Sequence, residues 1–296
     1  MQSDLQALSN DKAEPALAAG DLSELRANLD SIDDAIHDLL MRRAEVVSHI
    51  ASVKTGAALR PGREAAIIRR LLARHGGRMP ASAIVRIWRE ILAASTGQQQ
   101  RFSAAVYEPA TDGRFAAVAR AQFGALTPIR LCRSASQAIG EVAEGRASVA
   151  VLPLPGDDDA GVPWWPSLLQ QRKAGAVHVI ARLPFWHSRP EGTPQAQALV
   201  VATTPADASG DDVSLVALET AAEISRGGLA NALTAAGFRP NVVVLNRPGH
   251  SSSTQILVEV AGYVTVDDVR LGAIRGLERP ALLVGAYAVP VGSKTP

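Results

Sequence analysis

Arg43 places a guanidinium where the pattern of the chain asks for a leucine. From Leu25 onward the apolar residues Leu25, Leu29, Ile32, Ile36, Leu39, Val46, Ile50 and Val53 recur at alternating steps of four and three, the seam of a long amphipathic helix. The step after Leu39 falls on Arg43. A cation on a helical seam needs an anion to face it, from the protein or from a ligand. Lys54 lies 11 residues further on, close to three turns, and shares that face. Arg26 lies 17 residues before Arg43 and points well away from it. If Arg26 serves the same kind of site, it serves the one in a partner chain.

The next two apolar stretches break their inner faces in the same way. Glu64 precedes Ile67, Ile68 and Leu71 at helical spacing and extends their stripe, with Arg63 beside it. Ser95 and Gln99 continue the stripe of Ile84, Trp88, Ile91 and Leu92. Taken one at a time, Arg43 is a salt-bridge partner for Glu64, Lys54, Arg60 and Arg63 are surface charges, and Ser95 and Gln99 belong to a fraying helix end. Three helices that each carry complementary polar groups inward are another matter, because core patterning seldom does this without a ligand. Two or three cations, a carboxylate, a hydroxyl and an amide make a pocket for a small anion.

The elements that position these groups can be read from period and punctuation. Residues 1–20 are polar and alanine-rich and read as a flexible tail. A first helix runs from Asp21 to Lys54, with Ser23 as N-cap and Gly56 as stop. At about 50 Å it is too long for a compact monomer core and calls for a partner subunit along it. A second helix follows Pro61-Gly62 and ends at Gly76-Gly77. A third opens near Pro80 and closes at the polar run 97–100. Beyond it, strands at Ser103–Tyr107, Ile129–Cys132 and Ser148–Leu152 alternate with helices at Arg114–Phe123 and Ser136–Glu144, a small α/β lobe. Residues 155–195 give no clean period. From Gly210 the order is strand (Val213–Leu218), helix (Gly228–Gly237), strand (Val242–Leu245), strand (Gln255–Val264), helix (Val266–Leu277), strand (Ala281–Ala286), a ferredoxin-like βαββαβ unit. The domains are thus 21–100, 101–209 and 210–296.

The totals narrow the class of function. A formal net charge of +1 gives no bulk field for nucleic acid or membrane, and 47% hydrophobic residues suit a globular core. The single Cys132 excludes an internal disulfide framework and a cysteine metal cluster. Neither an export signal nor a membrane span is read, so the expected location is the cytoplasm.

From about Ser23 to Gln100 the chain resembles the all-helical chorismate mutases. The resemblance rests on Leu25-Arg26, Asp33, Leu39-Leu40-Met41-Arg42-Arg43, Lys54, Arg63-Glu64, Ser95 and Gln99. It implies a homodimer of intertwined three-helix chains with two equivalent sites, a chorismate substrate and no cofactor or metal. It also implies roles: Arg43 and the partner subunit's Arg26 on the two carboxylates, Lys54 and Gln99 at the ether oxygen, and Glu64 on the ring hydroxyl. Arg63 and Ser95 would complete substrate binding. Arg60 or Gly62 stands where the family often has an acidic residue.

The middle region resembles, thinly, the prephenate dehydratase part of fused mutase–dehydratases, through Ala105–Pro109 and Val151–Pro155. Gln197-Ala198-Leu199 stands where that family carries its Thr-Arg-Phe triplet, which implies a remnant without dehydratase activity. The end resembles an ACT regulatory domain through Asp211–Leu215, Gly227–Ala230, Leu245–Pro248 and Val284–Tyr287. That implies an amino-acid effector held near Gly228, Leu229, Asn246, Arg247 and Pro248. The reading is a chorismate mutase of aromatic amino-acid biosynthesis, with a bifunctional mutase/dehydratase or a non-catalytic amino-acid-sensing regulator as the alternatives.

Overall fold

The computed structural model describes residues 21–53, 56–156, 163–170, 176–186, 196–221, 225–246 and 253–292. The chain divides into two units, Met1–Lys54 and Thr55–Pro296.

The described part of the first unit is one helix, α1 (Leu22–Val53). Its period is the one expected, but Ser23 lies inside the first turn instead of capping it. The carbonyl of Asp21 accepts from the amides of Glu24 and Leu25, and the Ser23 hydroxyl donates back to Asp21. No residue of α1 is buried. The seam is exposed along its length, from Leu25 at 39% to Leu39 at 65% and Val53 at 83%.

The second unit begins with α2 (Pro61–Ala73) and α3 (Ala81–Gln99). Proline at the first helical position suits the start of α2, since its missing N–H would be unpaired there anyway. The run 97–99, expected to close the helical block, forms the last turn of α3. The inner face of α3 is also rotated from the expected stripe. Val85, Arg89, Leu92, Ser95 and Thr96 are buried, whereas Ile84, Trp88 and Ile91 are half-buried. The two helices share a small core with Phe185 and Ala288, formed by Ala65, Ile68, Val85 and Leu92.

The rest is an α/β body. Strand β1 (Ala104–Tyr107), helix α4 (Arg114–Phe123), β2 (Ile129–Cys132), α5 (Ala135–Ala143) and β3 (Val149–Pro153) follow in order. β1 lies parallel to both β2 and β3. After the short α6 (Pro166–Gln170) come two strands that the sequence did not announce as a pair, β4 (His178–Leu183) and β5 (Ala198–Ala202). β5 runs antiparallel to β3 and β4. The last unit has the expected order: β6 (Asp212–Ala221), α7 (Arg226–Ala235), β7 (Pro240–Asn246), β8 (Ser253–Ala261), α8 (Val269–Ala273) and β9 (Leu282–Ala288). α8 is much shorter than the expected 266–277.

Among the described residues the strands form one nine-stranded mixed sheet, ordered β2-β1-β3-β5-β4-β9-β6-β8-β7. The two halves meet where Val179 of β4 pairs with Gly285 of β9. Gly285 has φ +152°, and a Cβ there would run into the backbone of Val179, so the junction requires glycine. Apolar layers cover the sheet: Ile139, Leu152, Trp165 and Leu257 belong to one, Phe115, Val118, Leu183 and Val200 to another. α7 packs Leu229 and Leu233 onto Val216, Leu218 and Ile256 of the C-terminal half.

Candidate functional site

α1 carries Arg26 and Arg43. Arg26 is exposed and Arg43 is half-buried, and burial lowers the Arg43 pKa from its ordinary value. Lys54 lies outside the described residues.

In the second unit, Glu64 sits in the first turn of α2 and is buried, as its place in the stripe required. Its Oε2 accepts a hydrogen bond from Arg89 Nη1 of α3 at 2.9 Å. The side chains are 11% and 5% exposed. Burial pushes the Glu64 carboxyl above the usual range, partly offset by the attraction of Arg89. Burial likewise lowers Arg89, and Glu64 offsets that. The Arg89 guanidinium also lies 5.0 Å from the centre of the Phe185 ring. Within the second unit, Arg89 is therefore a cation that faces Glu64.

Arg89 was missed because Trp88 was read as the inward residue. The signal was present: Val85, Arg89, Leu92 and Thr96 recur at steps of four, three and four, the same misplaced cation in an apolar stripe that exposed Arg43. Ser95 is buried on the same face, and its hydroxyl donates to the carbonyl of Ile91 at 2.7 Å. Gln99 Nε2 donates to the Ser95 carbonyl at 3.0 Å. Ser95 lies inside α3 and Gln99 is its last residue.

Arg63 projects to solvent, but its backbone N–H donates to Asp207 Oδ2 at 3.1 Å. The neighbouring Gly62 N–H donates to Asp207 Oδ1 at 2.9 Å. A carboxylate thus stands at the start of α2 after all. It comes from the segment between β5 and β6, which no local pattern could have announced. A cavity of about 780 Å³ opens beside the 56–61 loop, lined among others by Leu59, Arg101, Phe102, Arg146 and Thr204. Glu64, Ser95 and Gln99 are not among its lining residues.

In the C-terminal half, the Gly228 N–H is taken by the Ser225 hydroxyl at 3.0 Å, a helix cap. Leu229 is core, 1% exposed. Asn246 Nδ2 donates to Gln255 Oε1 at 2.8 Å. Arg247 and Pro248 lie outside the described residues. Ala198 and Leu199, in place of the dehydratase triplet, are fully buried in β5. Among the described residues, no helix is long and apolar enough to cross a membrane.

Comparison with known proteins bears on residues 25–100, which match the family model "Chorismate mutase type II". A bifunctional chorismate mutase/prephenate dehydratase of Aquifex aeolicus is 34% identical over 143 residues, 45% of this chain and 39% of that protein. One of Stutzerimonas stutzeri is 27% identical over 153 residues, 49% of this chain and 41% of that protein. The chain therefore spans about two fifths of the length of these relatives. A solved structure described as "GqqA- a novel type of quorum quenching acylases" aligns with 67% of this chain and all of that one, at 19% identity and a TM-score of 0.49. Residues 25–100 are a chorismate mutase type II domain, followed by a mixed-sheet α/β body in a chain related to the bifunctional chorismate mutase/prephenate dehydratases.

Proposed function

We propose that this chain is a chorismate mutase that converts chorismate to prephenate in aromatic amino-acid biosynthesis, working in the cytoplasm as a homodimer intertwined through α1. One observation carries the reading: Arg26, Arg43, Lys54, Glu64, Ser95 and Gln99 occur in family order within the matched span 25–100. The dimer is supported by α1, whose apolar seam is exposed over 32 residues. An exposed apolar stripe of that length marks an interaction surface, and a second copy of the same helix is its self-complementary partner.

The reaction is a unimolecular pericyclic rearrangement, so the protein supplies conformation and charge. Arg43 and the partner subunit's Arg26 grip the two carboxylates and hold the flexible dianion in its compact chair. Arg63 and Ser95 support that grip. As the C–O bond breaks, negative charge grows on the ether oxygen. Lys54 and Gln99 supply donors to it, which stabilises the transition state more than the ground state. Glu64, held by Arg89 through Oε2, offers its other oxygen to the ring hydroxyl.

The middle region works as a scaffold without dehydratase chemistry, since Ala198 and Leu199 bring only aliphatic groups to a buried strand. The βαββαβ unit is ACT-like, which its sheet order β9-β6-β8-β7 supports, and its proposed role is to take an amino-acid effector. Growth tests the reading. A bacterium lacking only its chorismate mutase should grow without phenylalanine and tyrosine when it makes this chain. No growth despite soluble protein would overturn it.

A further inference from the structure

We propose that Asp207 is a positioning residue of the mutase site, supplied by the α/β body: its carboxylate closes the open end of α2 and fixes Arg63 and Glu64 in the first turn. The proposal rests on the mutase reading above and adds to it a residue well outside the matched span 25–100.

The geometry starts from a deficiency. The first amides of a helix have no partner within it, and the usual remedy is a Ser, Thr, Asp or Asn side chain at the N-cap. α2 has Arg60 there, with no side-chain hydrogen bond to the turn. Asp207 makes up the loss from 145 residues away. One carboxylate oxygen accepts from the Gly62 amide at 2.9 Å, the other from the Arg63 amide at 3.1 Å. Arg60 Nη2 stands 3.2 Å from the same carboxylate, whose side chain is 22% exposed. The negative charge also suits the positive end of the helix dipole.

The approach is close enough to dictate sequence. A Cβ on Gly62 would collide with the carbonyl oxygen of Asp207 and crowd that of Ala208. Two turns on, Arg69 completes the attachment. Its guanidinium donates to the Ser209 hydroxyl at 2.9 Å and to the carbonyls of Asp211 and Val289, both at 2.8 Å. Asp211 precedes β6 and Val289 follows β9. The helix that carries Arg63 and Glu64 is thus tied at two points to the run 207–211 and to the strand ends of the C-terminal half. A free-standing helical domain would need none of these contacts.

The test uses the full chain. Steady-state chorismate turnover and amide hydrogen exchange are measured for the wild type, Asp207→Ala, Asp207→Asn and Gly62→Ala. Asp207→Ala should speed exchange in the first turn of α2 and lower kcat/KM by about 10-fold, the size of a lost helix cap. Asp207→Asn keeps one of the two accepting oxygens and should fall between Asp207→Ala and the wild type. Gly62→Ala should reproduce the Asp207→Ala defect by displacing the 207–208 backbone. Faster exchange with unchanged kcat/KM would show a cap without influence on the site and overturn the proposal alone. Equal impairment by Ala and Asn would also overturn it, because an accepting oxygen at the end of α2 would then do nothing for the site. A folded wild type without turnover would overturn the mutase reading, and this proposal with it.

Discussion

Replacing Arg89 by methionine removes the charge paired with Glu64 and leaves a carboxyl stranded between two helices. At 2.9 Å the attraction is about 6 kcal/mol for an effective dielectric constant near 20. Much of that offsets the desolvation of two groups that are 11% and 5% exposed. Removing one partner exposes the imbalance, and the expected cost is about 3–5 kcal/mol of unfolding free energy. The cost should depend on pH. Burial already holds the Glu64 carboxyl above its ordinary value, and without Arg89 it rises further. The folded variant then binds a proton that the unfolded chain releases, so its stability falls as pH rises above the ordinary carboxyl range. The assay is urea denaturation at pH 5 and pH 8. Arg89→Met should lose more stability at pH 8, and the double variant Glu64→Gln/Arg89→Met should recover most of it. A loss independent of pH, or a double variant no better than the single one, would refute the account of this pair.

Other outcomes follow from the same reasoning. Arg43→Ala should lower mutase turnover by at least about 100-fold while helix content by circular dichroism stays unchanged. Inactive Arg26→Ala chains mixed with inactive Arg43→Ala chains should regain activity, because each mixed dimer keeps one intact pair; absence of rescue would exclude shared sites. Leu39→Glu, at a position 65% exposed in the single chain, should halve the mass seen by sedimentation and abolish turnover. A lone exposed leucine would instead tolerate the change within about 0.5 kcal/mol. Gly285→Ala should lower the melting temperature sharply, since the new Cβ meets the backbone of β4 at the point where the two half-sheets join.

Legibility in the sequence followed the range of the forces. Elements set by their own period came through: α4 and β2 have the bounds expected, and Glu64 and Ser95 are buried as their stripes required. Local competition spoiled α8. Asp268 caps it late, accepting from the Arg270 amide, and Ile274 returns to extended backbone after five helical residues. β4 was hidden by a bulge between Val179 and Ala181, which interrupts the alternation that marks a strand. The two half-sheets join through Val179 with Gly285 and, further along, Trp186 with Val291, which sequence pattern alone does not reveal. At the site, residue types in a stripe announced Glu64, Ser95 and Gln99. The same rule would have found Arg89 had the inner face of α3 been placed one residue further on. Asp207 was beyond reach, because a cap supplied across 145 residues leaves no local trace.

The central claim is that cations on these helices hold chorismate so that it rearranges. Its most direct test is to mix purified full-length chain with chorismate and follow the loss of chorismate absorbance, identifying the product by NMR, with Arg43→Ala alongside. The account predicts prephenate as the accumulating product, formed by the wild type and not by the variant. Chorismate left unchanged by the folded wild type, or consumed equally fast by Arg43→Ala, would contradict it.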